Sequence, residues 1–96
     1  MKILWQDIFE EEIPFTDDSK ILWESMENFL NSVLSGRGEI ICKRLSKSSQ
    51  LTWYPFFEML NNVKISECVL KSEPEKFDAV IIGCFGDPCL YELRSI

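Results

Sequence analysis

Histidine is absent from these 96 residues. That excludes a Cys-His or Ser-His-Asp machine built within the chain, because each needs an imidazole to take the nucleophile's proton. It also removes the commonest ligand of transition-metal sites. With no Cys-x-x-Cys pair among the four cysteines, a structural zinc site is not expected. Long apolar runs are missing too. None approaches the roughly 18 residues of a membrane span, so no membrane partner is expected. Met1-Lys2-Ile3-Leu4-Trp5-Gln6-Asp7 turns polar and acidic too early for a secretory leader. The expected compartment is therefore the cytoplasm, and Cys42, Cys68, Cys84 and Cys89 are expected as free thiols. Basic residues are few and scattered. Ten Lys and Arg face sixteen Asp and Glu, for a net charge of −6. The nearest thing to a basic group, Lys43, Arg44 and Lys47, reads as a strand end with its loop. A phosphate backbone would be repelled, so nucleic acid is not an expected partner.

What remains is the composition of one small globular domain, 46% hydrophobic and 27% charged. A domain of this size has little spare stability, so the loss of a neighbouring lobe would matter. There is no internal repeat, low-complexity tract or linker. The pattern reads strand, helix, strand, helix, strand, start of helix. Lys2 to Phe9 suits a buried strand, broken by Glu10-Glu11-Glu12-Ile13-Pro14. Thr16, Asp17, Asp18 and Ser19 are candidate caps for a first helix. Its apolar face is predicted at Leu22, Met26, Phe29, Leu30 and Val33, with Glu24, Glu27, Asn28 and Asn31 on the other side. Gly36 suits the position just past its end.

Glu39 to Leu45 is the second predicted strand, and Ser46 to Gln50 a polar loop. The aromatic stretch Leu51 to Phe57 leads into a second helix over about Phe56 to Ser72, weakened by Asn61-Asn62 and stopped by Pro74. Phe77 to Gly83 is a strongly apolar strand without polar alternation, the signature of a strand covered on both faces. Asp87 as N-cap and Pro88 as first residue start a third helix, cut off after Ile96. Alternating strands and helices imply right-handed βαβ units. The expected fold is a three-layer α/β lobe with a parallel sheet in the order 2-1-3, the beginning of a flavodoxin-like fold, in a single domain over 1–96. Such sheets bind ligands beyond the carboxyl ends of their strands where the chain reverses direction, here Gln6 to Phe9 and Cys84 to Asp87.

Cys84 is the leading candidate for chemistry. It stands at the carboxyl end of the third strand, before Phe85-Gly86-Asp87-Pro88, whose free N–H groups and helix start favour a negative charge. Gly86 permits a ligand to approach the backbone closely. The alternative is a small buried hydrophobe. Cys89, in the first turn of the third helix, is either a rival nucleophile or a packing residue, with packing favoured. Cys42 and Cys68 read as core. Trp53 and Tyr54 are packing residues that could also cover a pocket. Gln6 and Asp7 are either ligand contacts or a solvated strand end. Glu10, Glu11 and Glu12 read as a solvated loop.

The run from Phe77 to Glu92, FDAVIIGCFGDPCLYE, resembles the strand–turn–helix that carries the first catalytic cysteine of the aspartate/glutamate/hydantoin racemase superfamily. The likeness is closest to the hydantoin racemases around Cys84-Phe85-Gly86-Asp87-Pro88. Lys2-Ile3-Leu4-Trp5-Gln6 is similar to the superfamily's first strand, which ends in a polar substrate contact. The resemblance implies a cofactor-independent racemase acting on a small-molecule substrate, an amino acid or a hydantoin. In that family two thiols flank the substrate's α-carbon; one takes a proton and the other delivers one to the opposite face. By the same likeness Cys84 is the first acid/base, Phe85 and Gly86 supply backbone donors, and Gln6 contacts substrate.

The chain departs from the family in three ways. Cys89 stands where the family has glycine, and Gln6-Asp7-Ile8-Phe9 lacks the Asn-rich motif of the hydantoin racemases. The family's enzymes are about twice this length, with a second lobe supplying the second thiol. The expectation is thus an incomplete N-terminal lobe, inactive alone and prone to self-associate through its third strand. The alternative is a non-catalytic α/β binding or regulatory module that retains the fold. Relatives that share the cysteine site include decarboxylases and cis–trans isomerases, so the reaction type stays open.

Overall fold

A computed structural model describes residues 1–10, 17–45, 54–84 and 86–96. Three strands, β1 (Lys2–Glu10), β2 (Glu39–Leu45) and β3 (Ala79–Ile82), form a parallel sheet in the order β2-β1-β3. Helix α1 (Asp17–Leu34) connects β1 to β2, and α2 (Pro55–Lys71) connects β2 to β3. A short helix, α3 (Leu90–Arg94), follows β3. The α/β fold and strand order are those expected from the sequence.

Side-chain alternation along β1 divides the sheet's two faces. Leu4, Gln6 and Ile8 point to one face, all of them buried. There Ile8 packs with Leu45, with Ile65 of α2 and with Cys89, and Ile82, Cys68, Cys84 and Leu93 lean against that cluster. Trp5 and Asp7 point to the other face, where Asp7 shares a hollow with Trp23 and Glu27 of α1 and with Cys42 and Arg44 of β2. Helices thus cover both faces, α2 on one and α1 on the other.

The ends of the elements follow local chemistry. Past the end of α1, Ser35 and Gly36 take φ of 49° and 78°, the left-handed turn for which glycine is suited. Pro55 opens α2, where its missing N–H would have had no partner anyway. Ser72 closes it and a single 3-10 turn (Glu73–Glu75) carries Pro74.

Three expectations are corrected. The first concerns α1. Leu22, Phe29 and Val33 point outward, with Leu22 63% and Phe29 65% exposed. Glu27 and Asn31, expected on the solvent side, instead face β2. The Asn31 amide donates to the Ile40 carbonyl (3.0 Å) and accepts the Ile40 N–H (2.8 Å), and a Glu27 carboxylate oxygen accepts the Cys42 N–H (2.9 Å). These backbone groups lie on the outer edge of an edge strand and need partners. Satisfying them fixes the helix's rotation at the expense of its apolar stripe.

The second correction is β3, which is four residues long, with Ala79, Val80 and Ile81 exposed rather than covered on both faces. It is the sheet's other edge, so its apolar side chains lack a neighbouring strand among the described residues. The third is α3, which begins at Leu90 with Cys89 as its N-cap, and not at Pro88 with Asp87 as N-cap. Asp87 and Cys89 have φ of 48° and 67°, and Pro88 between them is locked near −65°. Two left-handed residues so close together cannot be helical, so the first helical residue is Leu90.

Candidate functional site

The site is built by the exit from β3. Gly83 gives its N–H to the Gln6 carbonyl (2.9 Å), continuing the ladder with β1 by one residue. A side chain at Gly83 would collide with the Trp5 indole, so the close approach of strand and ring requires glycine here. Cys84 then turns the chain by a three-residue bond from its N–H to the Ile82 carbonyl (2.9 Å). Its own carbonyl accepts the Asp87 N–H (3.1 Å), closing a turn that holds Gly86. Phe85 lies outside the described residues.

The half-buried Cys84 stands between two clefts at the carboxyl end of the sheet. One, of about 270 Å³, has Ile8, Ile65 and Pro88 as apolar walls and Glu58, Asn61, Cys84 and Gly86 as its other lining. The other, of about 280 Å³, lies on the Trp5 side, among Trp5, Ile82, Gly83, Cys84 and Asp87. Cys84 is the thiol that lines both. The first cleft adjoins the point where the chain reverses between β1 and β3, the position at which open parallel sheets bind ligands.

The other candidates fall elsewhere. Gln6 is wholly buried and lines neither cleft; its amide donates to the Asp7 carbonyl (3.0 Å) and the Lys43 carbonyl (3.5 Å). Its oxygen has no partner among the described residues. The buried Asp7 carboxylate accepts the Ile8 N–H (2.8 Å) and so ties down the end of β1. Glu11, Glu12 and Trp53 lie outside the described residues.

Cys89, only 3% exposed, is a packing residue. Its sulfur lies 3.1 Å from the Ser66 hydroxyl and donates to the Asn62 carbonyl (3.3 Å). Burial pushes its pKa up, opposed by the Ser66 contact. Cys42 is pushed up to about 12, first by burial and then by the charge and hydrogen bond of Glu27. Both thiols are thereby held in the neutral, unreactive form.

Sequence reasoning missed Glu58 and Asn61. Glu58 sits in the first turn of α2 and Asn61, 2% exposed, one turn later, so both line the cleft beside Cys84. A signal was available: in a βαβ unit every helix starts at the carboxyl end of the sheet, so polar residues in the first turns of α2 fall at the ligand end. Asn61, expected only to weaken the helix, supplies a buried amide to the site instead. The result is a thiol, a carboxylate and an amide around an apolar floor, a set suited to holding a small molecule and moving a proton. Among the described residues no group of three or more Cys, Asp or Glu side chains could hold a metal ion, and no helix is long and apolar enough to cross a membrane. No family model, curated protein or solved structure matches the chain.

Proposed function

We propose that this chain is the Cys84-bearing lobe of a cofactor-independent, cysteine-based racemase acting on an amino acid or hydantoin-like substrate. One observation carries this reading: Cys84 borders a cleft of about 270 Å³ at the carboxyl end of a 2-1-3 parallel sheet, beside the chain's reversal point. The motif around it, Gly83-Cys84-Phe85-Gly86-Asp87-Pro88, is the part of the sequence that resembles the racemases. In the proposed step the Cys84 thiolate takes the α-hydrogen as a proton. The C–H electron pair passes into the adjoining carbonyl or carboxylate, where the backbone donors that the resemblance assigns to Phe85 and Gly86 would favour negative charge. A thiol of a second lobe delivers a proton to the opposite face, giving the mirror-image product and a new thiolate. The described residues place no second thiol in this cleft, so the lobe serves one face of the carbon.

A second reading, a non-catalytic binding module of the same fold, is favoured by Glu58. A carboxylate in the cleft of a chain with net charge −6 opposes binding of an anionic amino acid. The deciding assay follows deuterium uptake at the α-carbon together with loss of optical rotation. The chain alone is expected not to racemise amino acids or hydantoins. Addition of a second lobe from a racemase should produce activity that Cys84→Ser abolishes. Binding without any racemisation in that mixture, or activity that survives Cys84→Ser, contradicts the racemase reading.

A further inference from the structure

The two edges of the sheet differ in whether they can accept another strand. At β2 the outward N–H groups of Ile40 and Cys42 and the Ile40 carbonyl are taken by Asn31 and Glu27 of α1. That stretch of the edge is closed. At β3, Asp78 gives its N–H inward to the Lys2 carbonyl. The register Leu4↔Val80, Trp5↔Ile81 and Gln6↔Ile82, with Gly83 donating to the Gln6 carbonyl, turns Ala79 and Ile81 toward β1, so the N–H and carbonyl of Val80 face outward. No described residue pairs with that edge. Val80 and Ile81 are 40% and 37% exposed along it. Beside them runs a groove of about 790 Å³, walled by Leu70 of α2, Leu90 and Leu93 of α3, and Phe77, Val80 and Ile82.

We infer that the β3 edge is a self-docking surface, on which a second copy of this chain adds its own β3 to make one continuous six-stranded sheet. The occupant is a strand, because what the edge leaves unmet are backbone donors and acceptors. A second copy fits because it presents the same unpaired strand, while Asn31 and Glu27 of α1 block the Ile40–Cys42 stretch of its β2 edge. The charges agree. The groove's rim sets Lys76 and Arg94 against Glu73, so it does not share the negative excess of a chain with net charge −6. Two such acidic copies meet there with less repulsion than elsewhere.

Two like edges related by a two-fold axis run antiparallel. Ala79 of one copy then stands opposite Ile81 of the other, Val80 meets Val80, and the two grooves merge on one face of the sheet. With β3 used and the Ile40–Cys42 stretch of β2 blocked by α1, assembly stops at two and does not propagate into a fibre. The contact is small. A standard interface uses about 20–30 residues a side, and twelve line this groove, so the dimer belongs to the weak, concentration-dependent class. Nor does it build a two-thiol site. At about 3.3 Å per residue the two Cys84 residues, each four positions past Val80, lie on the order of 25 Å apart. The dimer is therefore independent of the racemase reading.

The test is light scattering and sedimentation of the full chain from about 1 µM to about 1 mM, the range in which weak interfaces populate. The expected result is a doubling of mass with concentration and no larger species. Val80→Pro removes an outward N–H, and Ile81→Lys places a charge on the edge; both should stay monomeric with an unchanged circular dichroism spectrum. Opening the other edge with Asn31→Ala should instead yield species beyond the dimer. Wild-type protein that stays monomeric throughout would leave the edge to a strand of some other protein and overturn the proposal. So would a dimer that persists in both the Val80→Pro and the Ile81→Lys variants while they remain folded.

Discussion

On the β2 side of the sheet, α1 presses Asn31 and Glu27 against the strand and takes up the outward N–H and carbonyl of Ile40 and the N–H of Cys42. On the β3 side, a four-residue strand leads through Gly83 into a turn with two left-handed residues, and Val80 and Ile81 stay uncovered. The same contrast separates the thiols. Cys42 lies on the closed side, beside a carboxylate that opposes its ionisation. Cys84 lies on the open side, between two clefts. The difference teaches that this small domain concentrates its polar satisfaction at one edge and leaves its clefts and unpaired strand at the other. A site needs room and unmet groups, and a scaffold needs neither.

The largest expected effect comes from breaking the closed edge. Asn31→Leu removes both bonds to Ile40 and leaves a backbone donor and acceptor without partners, for a loss of about 2–3 kcal/mol in urea unfolding. Somewhat smaller is the effect of Gly83→Ala, whose added methyl meets the Trp5 indole. Overpacking of this kind costs about 1–3 kcal/mol, and here it also displaces Cys84, so urea unfolding and Cys84 alkylation should change together. A Gly83→Ala protein with wild-type stability would mean that Trp5 does not fix the exit from β3.

The closed side should also carry an alkaline sensitivity. Cys42 binds its proton more tightly folded than unfolded, so its contribution to stability is full below the unfolded value near pH 9. That contribution is lost as pH rises toward the folded value of about 12. Thermal unfolding of Cys42→Ala should therefore depend less steeply on pH across that window than wild type. The smallest effect belongs to the open edge. Ile81→Lys should shift unfolding by no more than about 0.5 kcal/mol, as expected of a surface position. A loss comparable to that of Asn31→Leu would erase the distinction between the two edges.

The sheet order was legible in the sequence because the apolar strands alternate with helical segments, and short crossovers allow few arrangements. The position of Cys84 followed from that order alone. The rotation of α1 was not legible. Its spacing of Leu22, Met26, Phe29 and Val33 marks an apolar face, but the outward N–H groups of Ile40 and Cys42 outweigh it, and these are features of an edge that sequence does not display. The turn after β3 misled for a similar reason. Asp87-Pro88 is a good helix start by composition, yet the chain must first turn back over Ile8 and Ile65 to bury Cys89, and it does so through two positive φ angles. Glu58 and Asn61 became visible as site residues only once α2 was placed against the cleft.

Cys84 is proposed as the reactive group of this chain. The direct measurement is the alkylation rate of each cysteine in the folded chain as a function of pH, read by mass spectrometry of its peptides. Cys84 should react first at neutral pH, with Cys89 slowed by burial and Cys42 resisting until the solution approaches pH 12. Equal or faster reaction at Cys42 or Cys89 while the protein remains folded would contradict the assignment.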